Sequence, residues 1–509
     1  MAYGPAEGLA LVDQLRDDGA LANYHLLPSV RGDLLARLGR TDEARAEFEA
    51  VLNVQDAASA PNDPNVISAE NNLGNLDLDE GRYADAIERF EHVVQRRMDT
   101  GGARDPETLR GRGNLALALM RGGRVRESEA ELVEIVPIMR EVFGNDHPPL
   151  GRALGTYGTL LYTQGRTREA EPVFAEALKI LEAKLGSEHP DTLLARHNLA
   201  TSITDPKRQP EVLELHRAVY EAQKKTLGPE HPATLDSMNS VASTLLSLAR
   251  LDEAETAYRE LVKLSEDVHG SEHPFTLIVR ENLANVLYSR RDYAGAAEID
   301  RDVLDIRKRI LGDDHPDVAK STYNLGMVLL GKGEFEGALA LFEEARERNQ
   351  RAYGSSHPNV VMSGEKVGDV QMKLERFADA AKTYQLVLAA LKEANREDEE
   401  TGYVLHQIGA AFSRQGDDAG ALEWFDRAFA LRERRIGPDA FGTKLTLLYR
   451  VRTLHKLGRD VEAEPVGLDF MKRMDRDPKP NADLVKRGRE LLVEIYTALG
   501  KPDKANDWR

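Results

Sequence analysis

The chain of 509 residues contains no cysteine, which excludes disulfides, thiolate metal sites and a cysteine nucleophile. That usage fits a reducing compartment, and a cytoplasmic location is expected. Aromatic residues make up only 6%. No stretch approaches the roughly 18 uninterrupted apolar residues of a membrane-spanning helix. The start, Met1-Ala-Tyr-Gly-Pro, lacks a basic region followed by an apolar run, so no signal peptide is expected. Basic charge is in deficit: 68 Lys and Arg face 86 Asp and Glu, for a net charge of −18. Such a surface repels phosphate backbones, and neither nucleic acid nor an anionic membrane is expected as a partner.

What is present is uniform. Hydrophobic residues are 41% and charged residues 30%, with Ala, Leu, Glu and Arg recurring throughout. That is the mixture of a long helical protein with many small interfaces.

A repeat organises the chain. Gly-x-x-His-Pro occurs at Gly144, Gly186, Gly228, Gly270, Gly312 and Gly354, each 42 residues after the last. Asn72-Leu73-Gly74, Asn114-Leu115-Ala116, Asn198-Leu199-Ala200, Asn282-Leu283-Ala284 and Asn324-Leu325-Gly326 keep the same period. A turn position reads Gly39, Gly81, Gly123, Gly165, Lys207, Ala249, Arg291, Gly333 and Glu375, then resumes one residue short at Gly416, Gly458 and Gly500. Self-similarity at this period marks a stack of supersecondary units.

Each unit reads as two helices. Over residues 273–312, Pro274 suits a first helical turn, and Leu277, Leu283, Ala284 and Leu287 follow at helical spacing. After the turn at Arg290-Arg291-Asp292, the residues Ala296, Ile299, Val303, Ile306 and Ile310 form one apolar stripe. Gly312 is expected to be left-handed just past the second helix. Alanine recurs in the second helix (Ala44, Ala86, Ala170, Ala254, Ala296), often with an aromatic residue four positions on (Phe48, Phe90, Phe174, Tyr258). Neither hairpin can bury its stripe alone, so neighbours must stack.

These motifs together resemble the tetratricopeptide repeat, and the 42-residue period with Gly-x-x-His-Pro resembles its kinesin-light-chain-like subclass. The resemblance covers about residues 20 to 500. It implies an all-α fold, a right-handed superhelical α-solenoid of stacked antiparallel helix pairs. The expected division is a capping helix in residues 1–19, an array of about eleven units over 20–480, and a partial, capping repeat over 481–509. The stretch from Ala6-Glu-Gly-Leu-Ala-Leu through Tyr24-His25-Leu26-Leu27 to Leu38-Gly39-Arg40 also resembles the helical C-terminal extension of extracytoplasmic-function sigma factors.

Two patterns that suggest chemistry are expected to be structural. His147, His189, His231, His273, His315 and His357 fall in successive units, too far apart to converge on one ion. Asp63 and Asp105 stand at the equivalent place, and aspartate is a preferred helix cap. Gly326 to Lys332 opens like a phosphate-binding loop, but Gly333 follows where Ser or Thr is needed, and no strand precedes it. No catalytic motif, cofactor site or metal site emerges, and a non-catalytic role is expected.

The candidate binding residues lie on the first helices. A carboxamide presents a donor and an acceptor together, enough to satisfy both backbone groups of an extended peptide. The family resemblance implies that asparagine at the ladder position contacts a bound peptide, which selects Asn72, Asn114, Asn198, Asn282 and Asn324. Thr156, Ser240 and Lys366 interrupt that ladder. Arg110, Arg152 and Lys320 lie four residues before ladder positions, and Arg121 lies seven after Asn114. Those offsets share a helix face, so a partner with acidic side chains or a C-terminal carboxylate is expected. The expected function is a scaffold or adaptor holding a partner protein or peptide in a concave groove. The alternative is a regulatory module acting with a separate sigma factor or ATPase, and self-association is left open.

Overall fold

The computed structural model describes residues 5–17, 27–54 and 62–509. These form twenty-five α-helices and one three-residue 3-10 helix, with no strand among the described residues. Contacts divide the chain into two units, Met1–Glu253 and Ala254–Arg509.

The first unit opens with α1 (Pro5–Asp17), which packs on α2. Helix pairs then follow: α2 (Leu27–Arg37) with α3 (Thr41–Val54), α4 (Pro64–Asp79) with α5 (Tyr83–Gly101), and α6 (Pro106–Arg121) with α7 (Val125–Phe143). Next come α8 (Pro148–Thr163) with α9 (Thr167–Leu185), α10 (Pro190–Ser202) with α11 (Gln209–Leu227), and α12 (Pro232–Ser247). Helix α13 (Leu251–His269) crosses the boundary between units. Tyr24, His25 and Leu26 of the sigma-factor-like stretch lie outside the described residues.

The second unit continues with α14 (Pro274–Ser289) and α15 (Tyr293–Leu311), α16 (Pro316–Lys332) and α17 (Phe335–Tyr353), and α18 (Pro358–Lys373) and α19 (Phe377–Glu393). It closes with α20 (Glu399–Arg414), α21 (Asp418–Arg435), α22 (Phe441–Lys456), α23 (Asp460–Asp475), α24 (Ala482–Ala498) and the short α25 (Pro502–Asn506). Short loops between consecutive helices make neighbours antiparallel. The protein is an all-α solenoid of helix pairs.

The Gly-x-x-His-Pro loop has a division of labour. The histidine caps the following helix: Nδ1 of His273 accepts the backbone N–H of Phe275 at 3.2 Å, and Nδ1 of His315 accepts that of Asp317 at 3.1 Å. Asp63 and Asp105 do the same with Asn65 and Glu107, at 2.8 and 2.9 Å. Proline then takes the first helical position, where its missing N–H costs nothing. His147 departs from this pattern, stacking on Phe143 with no cap bond. Gly312 has φ 82° and ψ 160°. Its φ is positive, yet its ψ is extended rather than αL, because the chain leaves the helix directly for the next unit. That region is essentially restricted to glycine. The true αL cap is at the intra-pair turn, where Gly333 has φ 86° and ψ 11°.

Pairs close through small residues facing rings. A Cβ added to Gly158 would lie 2.6 Å from Phe174, and one added to Gly368 would lie 2.6 Å from Tyr384. Where the first helix carries alanine instead, the opposing slot mostly holds something smaller: Leu132 opposite Ala116, His216 opposite Ala200, Asp300 opposite Ala284. Leu132, His216 and Asp300 are all buried.

One unit is irregular. Pro206 forces the preceding backbone out of the α region, so α10 stops at Ser202 and a 3-10 turn, Pro206–Arg208, replaces the usual loop around Lys207. The phosphate-loop-like string lies inside α16 and its αL cap. No described helix is long and apolar enough to cross a membrane, and no group of three or more potential metal ligands gathers among the described residues.

First helices of successive pairs also touch one another: α2 with α4, α4 with α6, α6 with α8, and α8 with α10 in the first unit. This shared first-helix face carries the candidate site.

Candidate functional site

A cavity of about 290 Å³ opens on the first-helix face of the first unit, between α4, α6 and α8. Its polar lining is Asn71 and Asn75 from α4, Arg110 and Asn114 from α6, and Arg152 and Thr156 from α8. Leu117, Met139 and Pro149 supply apolar surface. No carboxylate lines it among the described residues. Three expected residues, Arg110, Asn114 and Arg152, therefore share one concavity. The cause is the repeat: Arg110 and Arg152, 42 residues apart, sit at the same register on adjoining first helices, and Asn114 lies one turn after Arg110.

Asn114 donates from Nδ2 to Oδ1 of Asn71 at 3.1 Å. This leaves its own carbonyl as an acceptor. Arg110 pairs with Glu107 at 2.6 Å, and Arg152 with Asp191 of α10 at 2.6 Å. Both arginines are more than half exposed, at 56% and 52%. Exposed pairs of this kind contribute only about 0–1 kcal/mol, so an incoming carboxylate can compete for the guanidinium groups.

The other expected residues lie elsewhere. Asn72 donates to Asp33 at 2.8 Å. Arg121 is exposed at the end of α6; burial raises the pKa of the Asp79 carboxyl, and nearby Arg121 offsets part of that rise. Asn198, Asn282 and Asn324 are half-buried on α10, α14 and α16. Lys320, in the second unit, is 3.7 Å from Glu281. That carboxylate is buried and also accepts from Arg307 and Ser321, at 2.7 and 2.8 Å, so Lys320 extends a structural network.

Sequence reasoning misses Asn71 and Asn75. Asn75 stands three residues after ladder Asn72, and the same-face rule that selected the arginines reaches it. Asn71 is adjacent to the ladder position, and only the packing of α4 against α6 turns it into the cavity.

A family model described as the tetratricopeptide repeat matches residues 26–99, 107–183, 207–267, 239–309, 275–351, 317–393 and 361–434. A second model of that description matches 71–137. Among solved structures, the chain is similar to the nearly identical TPR-like repeats of a kinesin light chain candidate from Podosopora anserina, with 26% identity and a TM-score of 0.37 over 41% of this chain and 99% of that one. It is similar to BtubC (BKLC) from P. vanneervenii, with 19% identity and a TM-score of 0.40 over 46% and 92%. It is also similar to the apo form of RapI, with 13% identity and a TM-score of 0.46 over 70% and 95%. No curated protein matches the chain.

Proposed function

The chain belongs to the tetratricopeptide repeat family, and from that membership we propose that it holds an extended, acidic segment of a partner protein along its first-helix face. Tetratricopeptide repeats are in general non-catalytic interaction scaffolds, so the question is what this face selects. The observation that carries the reading is the cavity in which Arg110, Arg152, Asn114 and Asn71 converge without a lining carboxylate among the described residues.

The chemistry is complementary. Each guanidinium offers five N–H donors in a planar fork suited to carboxylates. The asparagines supply acceptors and donors for the peptide backbone, whichever side chains it carries. Affinity comes from several modest contacts on a preformed surface, where little ordering of the protein is required. The reading needs no cofactor.

The test is fluorescence anisotropy with labelled acidic and basic decapeptides on the full chain, repeated with Arg110→Ala/Arg152→Ala and with Asn114→Ala. A charge-assisted hydrogen bond is worth about 1.5–3 kcal/mol. Loss of both arginines is therefore expected to weaken acidic-peptide binding by at least about tenfold, with unchanged helical circular dichroism. Equal affinity in the folded double variant, or equal binding of the basic peptide, refutes the proposal.

A further inference from the structure

A second cavity lies on the same face of the first unit, between α10 and α12 over α11, with a volume of about 360 Å³. It is the register equivalent of the first. Leu194 stands where Arg110 does, His197 where Gly113 does, Gln223 where Met139 does, Asp236 where Arg152 does, and Ser237 where Ala153 does, each 84 positions further along. The chemistry has been inverted. Both guanidinium groups are gone, and Asp236 occupies the place of one of them.

The lining specifies its occupant. Pro190, Leu193, Leu194 and Leu227 make the walls, and Leu194 and Leu227 remain 59% and 48% exposed, so a long apolar stem has a surface to lie along. Gln223 Oε1 is enclosed and has no hydrogen-bond partner, which is costly unless a donor reaches it. Among the described residues no lysine or arginine lines the cavity, whereas the carboxylates of Asp236 and Glu188 do, Glu188 in an ion pair with the exposed Lys225 at 2.5 Å. Burial holds His197 below the usual histidine range, with Asp236 opposing, so the imidazole adds no competing positive charge near neutrality.

We infer that this cavity takes an arginine side chain from the same partner segment that places its acidic residues against Arg110 and Arg152. Arginine combines an apolar stem, a permanent positive charge and a fork of donors. With the Gln223 carboxamide turned into the cavity, Oε1 accepts from the fork while the charge faces Asp236. This rests on the proposed function above and adds the partner's second anchor. Adjoining helices are separated by about 8–10 Å, and α6 to α10 is two such steps, about 16–20 Å. An extended chain advances about 3.3 Å per residue, so the acidic anchor and the arginine are about five or six residues apart.

The experiment uses labelled Gly/Ser peptides with a pair of aspartates and one arginine at graded separations, in both chain directions, measured by anisotropy on the full chain. Two variants preserve the repeat's own solutions: Asp236→Arg copies the residue at position 152, and Gln223→Leu copies Leu181, one period earlier. Circular dichroism checks the fold of each. Affinity is expected to peak near a separation of five or six residues and to fall about tenfold when the peptide arginine becomes leucine. Gln223→Leu is expected to reduce that peak, and Asp236→Arg to shift preference at the second anchor from arginine to glutamate. A flat profile, equal binding of the leucine peptide, or an arginine preference surviving Asp236→Arg overturns the inference. If acidic peptides still bind through Arg110 and Arg152 in that case, only the second cavity fails; if no acidic peptide binds at all, the parent reading fails with it.

Discussion

Asp300 and His216 each occupy a core slot that holds a phenylalanine or tyrosine ring in most other pairs, and both are buried, at 3% and 7% exposure. Burial, reinforced by the nearby Glu281 charge, pushes the Asp300 carboxyl up to about 7 from an ordinary 3.8, with Arg307 opposing. The folded chain therefore holds this proton more tightly than the unfolded chain. The associated stability is fully present below pH 3.8 and is lost as pH rises through about 7. Asp300→Asn is expected to be more stable than wild type at pH 9 and to show a flatter dependence of its urea midpoint between pH 4 and 7. Wild-type steepness in the variant would refute this. His216 runs the opposite way. Burial, and then the charge of His197, lower it to about 4. The stability it contributes is present above the ordinary 6.5 and is lost as pH falls toward 4. Its Nδ1 bonds Thr244 Oγ1 at 3.0 Å, while Nε2 is buried without a partner. His216→Leu, which copies Leu132 from the equivalent slot two periods earlier, should raise the urea midpoint at pH 5 by more than at pH 8. Loss of midpoint at pH 5 would count against it.

At the scale of the element, two backbone positions make opposite demands. Gly158 has helical neighbours and no need for conformational freedom, but its missing Cβ admits Phe174. Gly158→Ala is expected to cost about 1–3 kcal/mol through overpacking, although alanine is the better helix former. A gain in thermal midpoint would sink that account. The turns at Ala249 and Glu375 hold φ at 55° and 58°, where Gly39, Gly81, Gly123 and Gly165 carry the same bend in other pairs. Ala249→Gly and Glu375→Gly are each expected to stabilise by up to about 1 kcal/mol, because the left-handed conformation is costly with a Cβ and cheap without one. Denaturant titration checks both, and destabilisation by either would show that the side chain makes a contact outweighing the strain.

For the whole molecule, the principal contacts run between consecutive helices and between first helices of adjoining pairs. Stability is then approximately a sum of local terms, and damage should remain local. Leu132 is fully buried in the first unit. Leu132→Ala is expected to lower hydrogen-exchange protection in α6 to α8 and to leave α20 to α22 unchanged, as read by mass spectrometry of exchanged peptides. Uniform loss of protection across both units would mean that the chain opens as one cooperative body.

How much could be read in advance follows from the same scales. Helix pairs, their turns, the small-residue crossings and the capping histidines were legible because each depends on residues close in sequence, repeated at a fixed period of 42. The period also placed Arg110 and Arg152 at equivalent register, with Asn114 one helical turn after Arg110. Repetition alone could not show that Lys320 would meet the buried carboxylate of Glu281, that Asn72 would reach Asp33, or that Asn71 would face the cavity. Those outcomes depend on the rotation of one first helix against the next, which side-chain packing sets across tens of residues. Composition and the 42-residue period dictate an all-α repeat of helix pairs. Which few residues of the first-helix face enclose a volume is settled by how the helices pack, because a cavity is a property of neighbouring helices together and has no local code.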